Sequence, residues 1–293
     1  MREEKLVKRE SATIEQHQAV LYELLVEFDR VCRLHGIPYI LYAGTAIGAV
    51  RHDGFVPWDD DADVLMLRKD YERFLEVAEQ TLYNQYFLQK EYSEHWPVAS
   101  SKLRKNNTTF LEKYHPDDKL RHQGIYIDIF PCDNAFDNRF MRKLQFYASR
   151  VIIAKDLSER GYETDSTAKK IIMMMCKVFP KKLLRKIVLL KGKDNTRFVH
   201  SFFGSTRTDK KSVYLRGWIT AVENHRFKDS QFLISSYYDE LLTVMYGDYM
   251  KIPPEEDRKC KVHAVFVDTE HNYTEYEHYR DDMTFDVFTR SIR

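Results

Sequence analysis

Four carboxylates fall within five residues at Asp59-Asp60-Asp61-Ala62-Asp63, and the chain then runs directly into the apolar Val64-Leu65-Met66-Leu67. An apolar run of this length reads as a buried strand. Side chains two apart on a strand share a face, so Asp61 and Asp63 are expected to present their carboxylates together. Such a pair repels unless a cation stands between its members. Mg²⁺ suits the place, with Mn²⁺ as the alternative, because it takes carboxylate oxygens and keeps positions for water and phosphate oxygens. An acidic run alone is usually a solvated loop; here apolar sequence flanks the run on both sides and Trp58 lies beside it. Upstream, Pro38 to Ala43 reads as a strand feeding Gly44-Thr45 and a short helix. In that layout backbone N–H groups and the Thr45 hydroxyl can hold phosphate oxygens.

From Tyr39 to Phe74 the sequence contains Gly-Thr-Ala-Ile-Gly-Ala-Val-Arg-His-Asp-Gly-Phe-Val-Pro-Trp-Asp-Asp-Asp-Ala-Asp, followed by Arg68-Lys69-Asp70-Tyr71. This stretch resembles the LicD family of cholinephosphotransferases, part of the wider nucleotidyltransferase fold that includes the fukutin-related ribitol-phosphate transferase domains. Two further blocks resemble the family, Gly124-Ile125-Tyr126-Ile127-Asp128-Ile129-Phe130-Pro131 and Tyr246-Gly247-Asp248-Tyr249-Met250 with Pro253-Pro254 after it. The resemblance implies an α+β fold, a nucleotidyltransferase-like mixed β-sheet flanked by helices. It also implies that a third carboxylate from a neighbouring strand joins the pair, and Asp128, in a β-branched and aromatic run, is the candidate. Asp59 and Asp60 read either as supports for the pair or as turn residues after Pro57-Trp58.

The implied reaction moves phosphocholine from CDP-choline to a hydroxyl of a cell-surface glycan precursor, such as teichoic acid, lipopolysaccharide or capsule, and releases CMP. Asp61, Asp63 and Asp128 would then be both catalytic and metal-binding residues. A donor pyrophosphate carries more charge than one ion neutralises, so Arg51, Lys102 and Arg104 join Gly44 and Thr45 as candidates for holding the phosphates and nucleotide. Lys102 and Arg104 alternate along an expected strand, Val98 to Arg104. A quaternary ammonium prefers aromatic faces, and Trp58 and Tyr126 are the nearest in sequence. Two readings compete: the same mechanism with CDP-ribitol or CDP-glycerol as donor, and a member of the fold that binds nucleotide or glycan without turnover. Four cysteines, Cys32, Cys132, Cys176 and Cys260, are too scattered for a metal motif and read as reduced thiols. The zinc loop of the ribitol-phosphate branch has no equivalent cysteine cluster here.

At 293 residues, 43% hydrophobic and 31% charged, the chain reads as a soluble globular protein, and its net charge of +1 argues against a nucleic-acid partner. The expected organisation is one domain over 1–293, with a helical insertion at 137–194 and a tail at 260–293 of uncertain structure. Apolar Leu21, Leu24, Leu25, Phe28, Val31 and Cys32 predict a helix that ends before His35-Gly36 and Pro38. Another helix is expected over 70–82, with strands near 86–89, 98–104, 108–111 and 124–130. Residues 212–250 read as strand and then helix, burying Tyr237, Leu241, Leu242, Val244 and Met245. The first ten residues have no apolar core of signal-peptide length, and no window is apolar enough to span a bilayer. A cytoplasmic protein is expected. Residues 168–193 hold nine basic and no acidic residues in a helical, apolar-faced pattern broken at Pro180. Such a segment predicts peripheral attachment to an anionic membrane surface at the inner face, where a lipid-linked acceptor would lie.

Overall fold

Thr13 caps the first helix, α1 (Ile14–Leu34), with a reciprocal box: Gln16 N donates to Thr13 Oγ1 and Thr13 N to Gln16 Oε1. Its stripe of Leu21, Leu24, Leu25, Phe28, Val31 and Cys32 is fully buried, as the spacing predicts. The helix stops at His35, and Gly36 follows with φ +59°, a conformation that glycine adopts without a Cβ penalty. The computed structural model describes residues 11–112, 121–159, 166–176, 178–189, 195–204, 208–259 and 263–279. Cys260, Lys177 and residues 190–193 of the basic segment, and the tail beyond residue 279 lie outside the described residues.

After α1 come β1 (Ile40–Leu41), α2 (Ala43–His52), β2 (Asp63–Leu67), α3 (Arg68–Thr81), β3 (Tyr86–Gln89), β4 (Ser101–Lys105), β5 (Thr109–Glu112) and β6 (Tyr126–Ala135). Three helices follow, α4 (Arg139–Glu159), α5 (Thr167–Cys176) and α6 (Lys181–Val188), before β7 (Phe198–His200) and β8 (Val213–Leu215). The last elements are α7 (Arg216–Thr220), β9 (Val222–Phe227), β10 (Ser230–Ser235), α8 (Tyr238–Tyr246), α9 (Glu255–Lys259) and β11 (Ala264–Asp268).

The main sheet runs β1-β2-β6-β4-β3, and β7 joins the far end of β6 and carries β8. Only β2 and β6 are parallel among these neighbours, so the sheet is mixed and, with its flanking helices, makes an α+β fold. Strand alternation assigns the faces. Val64 and Met66 join the core built on α1 and α3, whereas Leu65 joins Ile40, Tyr42, Val199, Tyr214 and Leu241 on the other side. Asp63 has the parity of Leu65 and therefore faces that second side. The chain returns to β6 through β7 after the three helices, of which α4 and α6 pack on one another through Ala148, Ile152, Leu184 and Val188.

Several expected boundaries move. The first strand shrinks to Ile40–Leu41 because Ala43 turns with φ +49° and begins α2, while Tyr42 N donates to Asp63 O at 2.9 Å. The strand expected over 98–104 starts at Ser101, since Trp96 Nε1 donates to Ser100 O (2.7 Å) and holds the preceding residues in a loop. On α8 the expected face holds for Leu241, Leu242 and Met245, but Tyr237 is exposed. The start of the tail also finds a place, as β11 pairs antiparallel with β5.

Candidate active site

Register, not sequence proximity, assembles the charges. Asp63 on β2 pairs with Asp128 on β6, and Asp128 in turn pairs with Lys102 on β4. A row of acid, acid and base thus crosses three strands on one face. Lys102 Nζ lies 3.0 Å from Asp128 Oδ1 and 3.1 Å from Oδ2, with its stem buried. Asp61, two residues before Asp63, adds a third carboxylate. Burial, then the charges of Asp61, Asp128 and Asp59, push Asp63 well above the ordinary carboxylate range, with Lys102 opposing. Burial likewise lifts Asp61 to about 6, against His263 and with Asp60 and Asp128 adding to the rise. Carboxylates that raise one another in this way are short of positive charge.

His263 supplies part of what they lack. Its backbone N and that of Ala264 donate to Asp60 Oδ2 at 2.7 and 2.9 Å. Its Nδ1 stands 3.2 Å from Asp60 Oδ1 and 3.8 Å from Asp61 Oδ2. The hydrogen bond to Asp60 outweighs burial and, with the charges of Asp61 and Asp60, raises His263 to about 9. Asp60 is therefore the buried anchor that fastens the start of β11 beside Asp61. Nothing in the sequence around His263 marks it, a lone histidine at the head of an apolar strand.

Tyr246, the last residue of α8, also meets the cluster. Burial and the charges of Asp63, Asp61 and Asp59 push its hydroxyl far above the ordinary range. Other expected positions have different neighbours. Thr45 is buried and its Oγ1 accepts from Asp63 N at 2.8 Å, so it sets the height of β2 against α2. A Cβ at Gly44 would overlap Asp59 Oδ2; a carboxylate thus stands at the helix start, where sequence reading put a phosphate. Arg51 donates through Nη1 to Tyr249 O at 2.5 Å and to Lys251 O at 3.4 Å, and lies 5.9 Å from the Trp58 ring centre. It secures the segment after α8.

Trp58 is buried under Arg258, 4.6 Å from its ring centre, with His52 edge-on. Tyr126 has Lys102 Nζ 3.1 Å above its ring centre and Arg104 at 4.7 Å, so cations already cover its ring. Its hydroxyl donates to Glu112 Oε1 at 2.7 Å. Arg104 is buried too: Nε donates to Gln89 Oε1 (2.7 Å) and Nη1 to Gly124 O (2.8 Å), and burial lowers its pKa to about 9.

A cavity of about 510 Å³ opens on this face. Asp61, Asp128, Lys102, Tyr126 and His263 line it from the sheet side, and Arg150, Ile153 and Asp156 of α4 from the other. Gly44, Thr45, Arg51, Trp58, Asp63 and Arg104 do not line it. Among the described residues no group of three or more His, Cys, Asp or Glu side chains stands in metal-ligand geometry, and Lys102 neutralises Asp128 directly. The donor set nevertheless suits a hard divalent ion: all oxygen, partly buried, and short of positive charge.

The family model described as LicD/FKTN/FKRP, nucleotidyltransferase domain, matches residues 36–158. That range holds Asp61, Asp63, Lys102 and Asp128, and it leaves out His263. The lipopolysaccharide cholinephosphotransferase LicD of Haemophilus influenzae is 31% identical over 261 residues, covering 84% of this chain and 95% of that protein. An uncharacterized protein of Rickettsia typhi is 27% identical over 128 residues, covering 43% of this chain and 39% of its own length. One from Rickettsia prowazekii is 25% identical over 135 residues, covering 34% and 51%.

Proposed function

This chain belongs to the LicD family and is a phosphotransferase, and we propose that it moves phosphocholine from CDP-choline to a hydroxyl of a cell-surface glycan precursor. The observation that carries this reading is the row of Asp63, Asp128 and Lys102 across three strands beside Asp61 and a cavity. The name of the Haemophilus relative supplies the choline, and its lipopolysaccharide acceptor is one of the glycans that the reading allows.

Asp61, Asp63 and Asp128 are the residues that would hold Mg²⁺, or Mn²⁺ in its place. When bound, the ion supplies neutralisation of the donor pyrophosphate and of the leaving CMP. In the reaction the acceptor oxygen forms a bond to the phosphorus that bears choline. The bond from that phosphorus to the bridging oxygen breaks, and CMP departs with the electron pair. Asp128 lies at the cavity wall and pairs with Lys102; in this reading it takes the hydroxyl proton once Lys102 turns from it to a phosphate oxygen. Lys102 and His263 provide positive charge on the cavity side.

Arg51, Arg104 and Trp58 serve the scaffold in this reading, for each is committed to other protein groups. Residues 1–293 work as one catalytic unit with 137–194 inserted. A cytoplasmic site at the inner face of the membrane follows from a lipid-linked acceptor; among the described residues no helix is long and apolar enough to cross a membrane. A panel of CDP-choline, CDP-ribitol and CDP-glycerol tests the donor. Mg²⁺-dependent CMP release from CDP-choline above the others supports the reading, preference for another donor replaces choline, and release from none refutes catalysis.

A further inference from the structure

Eight of the sixteen large apolar side chains exposed among the described residues belong to the three helices between β6 and β7 and the turn before α6. Phe140, Leu144 and Tyr147 recur at helical spacing along the outer side of α4 and have 75%, 42% and 63% of their surface exposed. Leu183 stands out from α6, and Phe179 from the turn before it. An apolar stripe of this kind on a protein surface marks a docking face.

The charge around the stripe identifies what docks. Arg139, Lys143, Lys170, Lys182 and Lys186 are exposed on the same helices. The only acids among the described residues of 139–189 are Asp156 and Glu159, and Lys181 holds both, at 2.5 and 3.0 Å. Lys181 and Arg185 turn inward, Arg185 lying 3.9 Å over the Tyr92 ring, so they are not part of the outer charge. On the described residues of these helices the exposed cations and apolar groups thus have no unengaged carboxylate among them, and on a chain of net charge +1 this surface complements an anionic bilayer.

We propose that the outer side of α4 and α6 seats the protein on an anionic lipid bilayer, with Phe140, Leu144, Tyr147 and Leu183 entering the headgroup region and Lys143, Lys182 and Lys186 reading its charge. The apolar anchor thus lies mainly on α4, outside the 168–193 segment that composition singled out. The same helix walls the cavity through Arg150, Ile153 and Leu157. At 1.5 Å per residue, Ile153 is only about 9 Å along the axis from Tyr147. A bilayer under the stripe therefore lies close to the cavity. That a lipid-linked acceptor enters there rests on the proposed function; the docking itself does not.

Co-sedimentation of the full chain with phosphatidylcholine vesicles, with and without phosphatidylglycerol, tests the surface. The wild type is expected to pellet with the anionic vesicles only and to be released by salt. Phe140→Ser with Leu144→Ser and Tyr147→Ser should lose binding. Lys143→Glu with Lys182→Glu and Lys186→Glu should weaken it roughly a hundredfold or more, with melting curves unchanged in both. No binding by the wild type, equal binding to neutral vesicles, or variants that bind like the wild type would overturn the proposal. So would a dimer in light scattering that the apolar triple variant dissolves, since the stripe would then cover a second copy. A wild type that binds vesicles but releases no CMP removes the function reading and leaves the surface standing.

Discussion

Asp63 works against the fold that holds it. Its carboxylate lies beside those of Asp61 and Asp128, and both burial and repulsion disfavour its charge. Asp63→Asn should therefore raise the melting temperature of the metal-free protein by ~2 °C while removing turnover. A fall of several degrees in calorimetry would show that the acid supports the structure instead. Asp60 has the opposite character, because it accepts from the backbone of His263 and Ala264. Asp60→Ala should cost about 2 kcal/mol in urea unfolding, the usual toll of stranding buried donors, and should lower activity by releasing His263. The pair Asp61 and Asp63 was read from strand parity; the charge of Asp61 does raise Asp63, although β2 begins only at Asp63 and Asp61 stands in the segment before it. Asp128 came from the family resemblance, and His263, two hundred residues from Asp60, left no local signal. Tyr126 and Arg104 were singled out for a ligand, and what their sequence could not show is that protein groups also engage them: Lys102 lies over the Tyr126 ring, which still borders the cavity, and Arg104 donates to Gln89.

At the level of elements, α2 and β2 behave as one unit locked by Thr45 and by close approach. A Cβ on Gly48 would overlap the Gly54 carbonyl, which is backbone and cannot swing aside. Gly48→Ala should cost roughly 1–3 kcal/mol and reduce activity by tilting α2 against the acids; a neutral effect on both would mean that the loop yields. The glycines of this block thus have a packing purpose that the phosphate-loop reading of Gly44-Thr45 did not anticipate. The helices and most strands were readable from periodicity. What periodicity could not supply was partnership: β5 was expected beside the main sheet's strands, yet it pairs with β11 from the far end of the chain.

Across the whole molecule, a largely buried triad of two ion pairs sharing Arg68 ties α3, the start of the β3–β4 connection and β6. Arg68 donates to Asp133 through two nitrogens at 2.7 and 3.0 Å and to Glu91 at 2.8 Å. Against burial, which raises it, the Arg68 charge and hydrogen bonds bring Asp133 below its ordinary value of 3.8. A carboxylate lowered in the fold stabilises it fully above that value, and the contribution is lost as pH falls through the lower, folded pKa. Asp133→Asn should thus cost about 3–5 kcal/mol at neutral pH, and the gap from wild type should narrow below pH 3.8. A gap that stays constant with pH in denaturant titrations would contradict this.

The cation proposed for Asp61, Asp63 and Asp128 joins two acids that strand register sets side by side to a third that precedes β2. Electron paramagnetic resonance of free Mn²⁺, titrated into the wild type and Asp63→Asn with and without CDP-choline, tests that most directly. The wild type should remove one Mn²⁺ per chain from the free signal, more tightly with the nucleotide present, and the variant should leave the signal nearly untouched. Equal binding by the two proteins, or none by the wild type even with CDP-choline, would contradict the account.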